Sequence, residues 1–198
     1  MVIKMNEQME IEYKILLTKK IYEQIKKDYQ KDLIKSYKQT NYYLSHPILL
    51  KKQYMLRIRE KNDQFELTLK RPKNNHQLET NMILDKETKE KILNQQEVHN
   101  EIFEILKKEN ILQTDLKNQF SLTTYRYDYK LKYGILSLDY NEYLDTIDYE
   151  LEYEVNDEIN GYKHFLSIIQ SYQLQYQNNC TSKVKRALQQ YKKKKVAN

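Results

Sequence analysis

One cysteine, two glycines and two prolines in 198 residues exclude several classes of protein at once. Cys180 has no partner for an internal disulfide and no second thiol for a zinc cluster, so it reads as a structural residue. So little glycine and proline rules out long flexible linkers, and neither a P-loop nor a dinucleotide fingerprint is present. No run approaches the roughly 18 apolar residues of a membrane span. The opening residues MVIKMNEQ lack the apolar stretch of a secretion signal. A cytoplasmic location with no membrane partner is therefore expected. The four histidines, His46, His76, His99 and His164, show no paired spacing and no nucleophile beside them, which favours surface or loop roles.

Hydrophobic residues make up 39% of the chain and charged residues 31%, which suits a globular protein. The length predicts a single domain over residues 1–191, followed by a basic tail over 192–198. The net charge is +6, and removing the run Lys192 to Lys195 leaves +2, so the body is a mixture of both signs. Nucleic acid is not expected as a partner, and a homodimer is left open. The 19 tyrosines recur between polar residues in strand-like segments, where they act as packing residues more often than as stacking platforms.

The dominant hydrophobic period is two, the mark of strands with one apolar and one polar face. Met9, Ile11, Tyr13, Ile15 and Leu17 alternate with Glu10, Glu12 and Lys14. Leu56 and Ile58 alternate with Arg57 and Arg59; Phe65, Leu67 and Leu69 with Glu66, Thr68 and Lys70. Further on, Leu136 and Leu138 alternate with Ser137 and Asp139, and Tyr149, Leu151 and Tyr153 with Glu150, Glu152 and Glu154. With weaker segments at 37–45, 78–84 and 120–130, about eight strands are predicted, and Lys61–Gln64 reads as a hairpin link. Helices are predicted over 19–29, 85–109, 160–175 and 182–192. Strands in both halves with helices between or after them predict an α+β fold with an antiparallel sheet.

An antiparallel sheet ordinarily turns its polar face to water. The content of these faces makes that uncomfortable. Neighbours on one face of a strand lie about 6 to 7 Å apart, so Glu150, Glu152 and Glu154 repel unless a cation sits among them; Arg57 and Arg59 pose the converse problem. If such faces meet across a lumen, the acids can bind a divalent cation and the bases can hold phosphoryl oxygens. A linear triphosphate needs both sets, because the bases neutralise and orient it while a metal held by the acids bridges its oxygens.

Glu10-Ile11-Glu12-Tyr13-Lys14 resembles the ExExK signature of the CYTH superfamily, the triphosphate tunnel metalloenzymes. The rest of the pattern follows in order: QTNYY at 39–43, LRIRE at 56–60, ELTLK at 66–70, LTTYR at 122–126, LSLDYN at 136–141, DYELEYE at 148–154 and SKVKR at 182–186. The resemblance covers nearly the whole chain and is greatest to the bacterial triphosphatase-like branch. It implies a closed eight-stranded antiparallel barrel, a tunnel with helices packed outside. It implies Glu10, Glu12, Asp139, Glu150 and Glu152 as ligands of Mg²⁺ or Mn²⁺, and Lys14, Arg57, Arg59, Lys70, Arg126, Lys183 and Arg186 as contacts to the triphosphate. It also implies catalytic roles for Lys70 and Tyr42, a countercharge at Glu79, and at Glu154 either a further ligand or the tunnel's mouth. Family members carry an aspartate soon after the paired tyrosines, where this chain has Leu44-Ser45. The activity implied is metal-dependent hydrolysis of inorganic triphosphate to pyrophosphate and phosphate. The alternatives are a thiamine or nucleoside triphosphatase, an adenylate cyclase of the same family, and a non-catalytic binder of polyphosphate or nucleotide.

Overall fold

The computed structural model describes residues 11–73 and 76–197, so Glu10 lies outside the described residues. Among the described residues there are eight strands: β1 (Ile11–Leu17), β2 (Leu33–Ser45), β3 (Met55–Lys61), β4 (Gln64–Lys73), β5 (His76–Leu84), β6 (Lys117–Leu131), β7 (Gly134–Tyr143) and β8 (Thr146–Val155). They form one sheet in the order β1-β8-β7-β6-β2-β3-β4-β5, with antiparallel neighbours. Six helices accompany it among the described residues: α1 (Lys19–Asp28), α2 (Pro47–Lys51), α3 (Lys86–Leu93), α4 (Glu101–Lys108), α5 (Glu158–Ser171) and α6 (Lys183–Ala197). None of them is long and apolar enough to cross a membrane.

The β3–β4 link is the predicted hairpin. Asn62 and Asp63 both take left-handed backbone angles (φ 49° and 58°), the geometry of a tight turn whose twist matches its flanking strands. The single helix predicted over 85–109 is two. Gln95 turns left-handed (φ 59°) and ends α3, and the Asn100 side chain then caps α4 by accepting from the Phe103 N–H at 2.9 Å. The four lysines 192–195 are helical, because α6 continues to Ala197. Cations suit the carbonyl end of a helix, and Lys194 is ion-paired with Asp145.

Contacts divide the chain into two compact units. The first comprises residues up to Ser36 with Tyr125–Asn141 and Ile147–Ser182. Its core joins the odd-numbered face of β1 and β8 to α1 and α5, with Tyr129, Leu151, Tyr153 and Phe165 fully buried. The second comprises Tyr37–Thr124, Glu142–Thr146 and Lys183–Asn198. There Leu56, Ile58, Leu67 and Leu69 pack beneath α2, α3 and α4 through Leu49, Ile92, Ile102 and Leu106. Val184, Ala187, Leu188 and Tyr191 of α6, spaced at helical period, join a separate cluster with Tyr43, Phe120, Leu122 and Tyr143. In both units apolar parity is spent on helices, so the opposite, charged parity is left for chemistry.

The expected hydrogen-bonded closure of the sheet is not observed among the described residues, where β1 and β5 end the strand order. The outward edge of β1 is satisfied differently. The Lys14 N–H donates to Asn179 Oδ1 at 2.7 Å, Asn179 Nδ2 donates to the Glu12 carbonyl at 2.9 Å, and the Cys180 N–H donates to the Lys14 carbonyl at 3.2 Å. A loop thus takes the bonds that another strand would need, and an exposed edge is covered.

Candidate functional site

In the first unit, the register of β1 on β8 sets Lys14 opposite Glu152, Glu12 opposite Glu154 and Leu16 opposite Glu150. These residues share the face turned away from the helices. Asp139 and Glu150 have no exposed surface and Glu152 is 9% exposed. One carboxylate oxygen from each of the three lies within 4.8 Å of the others. Three buried carboxylates at this spacing repel strongly unless cations intervene. Two do. Arg126 binds Asp139 through both Nε (2.7 Å) and Nη2 (2.6 Å) and also donates to Glu152. Lys14 Nζ lies 2.6 Å from Glu12 and 3.6 Å from Glu152. Around them Ser137 donates to Asp128 at 2.7 Å and Asn141 to Asp148 at 2.9 Å, which fixes the flanking acids. Buried, convergent carboxylate oxygens are the donor set preferred by a hard divalent cation.

Arg126, expected on the phosphate, is therefore found on the acids, because the nearest guanidinium is drawn to an uncompensated buried carboxylate. Glu154 is exposed.

In the second unit, the pairing of β2 with β3 sets Tyr43 opposite Arg57 and Asn41 opposite Arg59, while β4 and β5 set Lys70 opposite Glu79. Arg59 Nε donates to Asn41 at 3.4 Å. Burial lowers the Arg59 pKa, and the neighbouring Arg57 charge lowers it further. Arg57 Nε is buried with no hydrogen-bond acceptor, so it keeps a donor to offer. Lys70 Nζ lies 2.8 Å from Glu79. Burial alone would raise the Glu79 carboxyl, but the hydrogen bond and charge of Lys70, with Arg57 adding to them, hold it below its ordinary value. Lys183 opens α6 close enough for its charge to act on Tyr43, and the half-buried Arg186 follows on the same helix.

Tyr42, expected to be catalytic, is opposite Ile58 and so faces away from Arg57 and Arg59. Its hydroxyl donates to Glu60 at 3.1 Å, and Lys89 of α3 binds the same oxygen at 2.8 Å. That hydrogen bond from Lys89 holds Glu60 below the usual carboxylate range. The tyrosine on the basic face is Tyr43, which the sequence reading missed. Burial raises its pKa, and Arg57, which is hydrogen-bonded to it, opposes the rise together with Arg59 and Lys183. Parity offered a signal, because Asn41, Tyr43 and Ser45 are the polar-side series whereas Tyr42 runs with Leu44. Asn179, also missed, carries no periodic signature at all.

Comparison with known proteins places the chain in one family. A protein from Bacillus subtilis (strain 168) named "Putative triphosphatase YjbK" is 31% identical over 175 residues, 86% of this chain and 90% of that protein. Among solved structures, a "putative adenylate cyclase" from Bacillus halodurans matches with a TM-score of 0.71 and 30% identity, over 90% of this chain and 97% of that one. HpAC1 from Hippeastrum, described as having a dominant triphosphatase activity, shares the fold with a TM-score of 0.70 at 21% identity, over 89% and 93%. The model of the CYTH domain matches residues 8–188, and the chain belongs to that family.

Proposed function

We propose that this protein is a divalent-cation-dependent hydrolase of short linear triphosphates, acting first on inorganic triphosphate, which it splits into pyrophosphate and phosphate. The observation that carries the reading is the buried trio Asp139, Glu150 and Glu152, together with a separate basic face whose Arg57 retains an unsatisfied buried donor. A pure anion receptor gains nothing from three buried carboxylates. The reading takes residues 1–191 as one domain built on a closed eight-stranded barrel and places its action in the cytoplasm; the single eight-stranded antiparallel sheet is what supports the barrel. The B. subtilis relative's name supports the activity.

In this reading Asp139, Glu150 and Glu152, joined by Glu12 and Glu10, hold Mg²⁺ or Mn²⁺. When bound, such a cation withdraws charge from the phosphoryl oxygens and acidifies water. Arg57, Arg59, Lys183 and Arg186 neutralise and orient the phosphate chain. Lys14 and Arg126 compensate the acids and add their charge to the triphosphate contacts. Lys70, placed by Glu79, withdraws electrons from the reacting phosphoryl group. Water adds to a terminal phosphorus, the bond to the bridging oxygen breaks, and pyrophosphate leaves with that oxygen. Tyr43, in place of Tyr42, is the tyrosine that serves the basic face.

Phosphate release from inorganic, thiamine and nucleoside triphosphates with Mg²⁺ or Mn²⁺ tests the proposal; no turnover of any of them under either metal rejects it. Cyclisation of ATP is the second reading, favoured by the name of the B. halodurans relative, and cyclic AMP in the nucleotide arm would establish it. The tyrosines separate in the same assay. Tyr43→Phe should raise KM for tripolyphosphate about fivefold, as expected for the loss of a hydrogen bond worth about 1 kcal/mol. Tyr42→Phe should leave KM within twofold and instead lower the thermal midpoint, because it deprives Glu60 of a donor. The reverse pattern would restore Tyr42 to the site.

A further inference from the structure

We infer that Asn179 is a positioning residue for the cation site, locking the strand that carries Glu12 and Lys14 at the angle the acids require. The inference rests on the proposed function for the role of those two residues and on geometry for the rest. In an antiparallel pair the backbone groups of alternate residues point away from the partner strand. In β1 these outward residues are Glu12 and Lys14, so β8 leaves their peptide groups unheld. The Asn179 amide takes both: Oδ1 accepts from the Lys14 N–H at 2.7 Å and Nδ2 donates to the Glu12 carbonyl at 2.9 Å.

Asn179 is itself held. Tyr176 donates its hydroxyl to Asn179 Oδ1 at 2.9 Å, and this fixes which end of the amide faces Lys14. The Tyr176 ring meets Phe165 edge-on at 4.9 Å and Tyr13 at 6.1 Å. Tyr13 stands between Glu12 and Lys14 in sequence, on the opposite face of the strand, and stacks on Phe165 at 5.2 Å. One loop therefore grips β1 at its edge through Asn179 and from behind through Tyr176. The side chains of Glu12 and Lys14 are then left with rotamer freedom alone, and Lys14 is kept within reach of Glu152. Outer residues that orient metal ligands typically change affinity by about ten- to a hundredfold when lost.

The test uses the full chain with Mn²⁺ alone as the probe, titrated calorimetrically, with Lys14 amide exchange and the thermal transition measured alongside. Asn179→Ala should speed exchange at Lys14 about tenfold or more and weaken Mn²⁺ binding about tenfold, with a cooperative transition retained. Faster exchange with Mn²⁺ affinity within twofold of the parent overturns the inference and leaves a simple edge cover; unchanged exchange overturns it as well. Should Asn179→Ala fail to fold, Tyr176→Phe removes only the hydroxyl that orients the amide. About threefold weaker Mn²⁺ binding is then expected, and no change overturns the inference. A parent protein that binds Mn²⁺ but hydrolyses no triphosphate would reject the proposed activity while the affinity ratios still judge the clamp.

Discussion

Glu152→Gln should reduce Mn²⁺-dependent phosphate release from tripolyphosphate by on the order of a hundredfold, equivalent to about 3 kcal/mol of transition-state stabilisation. The substitution keeps the volume and one acceptor oxygen but removes the charge that makes the trio with Asp139 and Glu150 attractive to a divalent cation. Little structural damage is expected, because Arg126 retains both of its bonds to Asp139. The measurements are initial rates over a range of Mn²⁺ concentrations and a thermal melt. Activity within a few fold of the parent, with an unchanged requirement for metal, would remove Glu152 from the site.

Arg126→Met should have the largest effect on stability. The pair with Asp139 is bidentate, Asp139 is fully buried, and the same guanidinium reaches Glu152. Breaking a buried ion pair from one side strands the remaining charge, at a cost of about 3 to 5 kcal/mol. The metal-free variant is therefore expected to melt far below the parent. Added Mn²⁺ should recover much of the difference, because a cation that binds only the folded state stabilises it in proportion to the logarithm of its concentration over Kd. A melt that shifts equally with Mn²⁺ in variant and parent would show that the guanidinium and the metal do not share these carboxylates.

The strands were legible because alternation is a direct imprint of one buried face, and Leu56–Ile58, Leu67–Leu69 and Leu136–Leu138 all lie in the apolar cores. The acids Asp139, Glu150 and Glu152 were legible for the same reason, through parity and through the family motifs. What escaped depends on interactions with no period. The break between α3 and α4 is set by one capping asparagine and one left-handed glutamine inside a continuous apolar stripe. The pairing of Arg126 follows from the mutual repulsion of acids that are distant in sequence. The choice between Tyr42 and Tyr43 turned on a single step of register, enough to move a side chain to the other face. The edge cover supplied by Asn179 joins residues 165 positions apart and leaves no mark in the intervening sequence.

That separation also bears on biosynthesis. β3, β4 and β5 are consecutive hairpins and can zip as they leave the ribosome, whereas β1 finds β8 only after the six strands between them in sequence have been made. Until then both edges of a seven-residue strand stand open to any other nascent chain. The loop bearing Asn179 follows β8 in the chain, so the outer edge of β1 stays uncovered until that loop has been made and has docked.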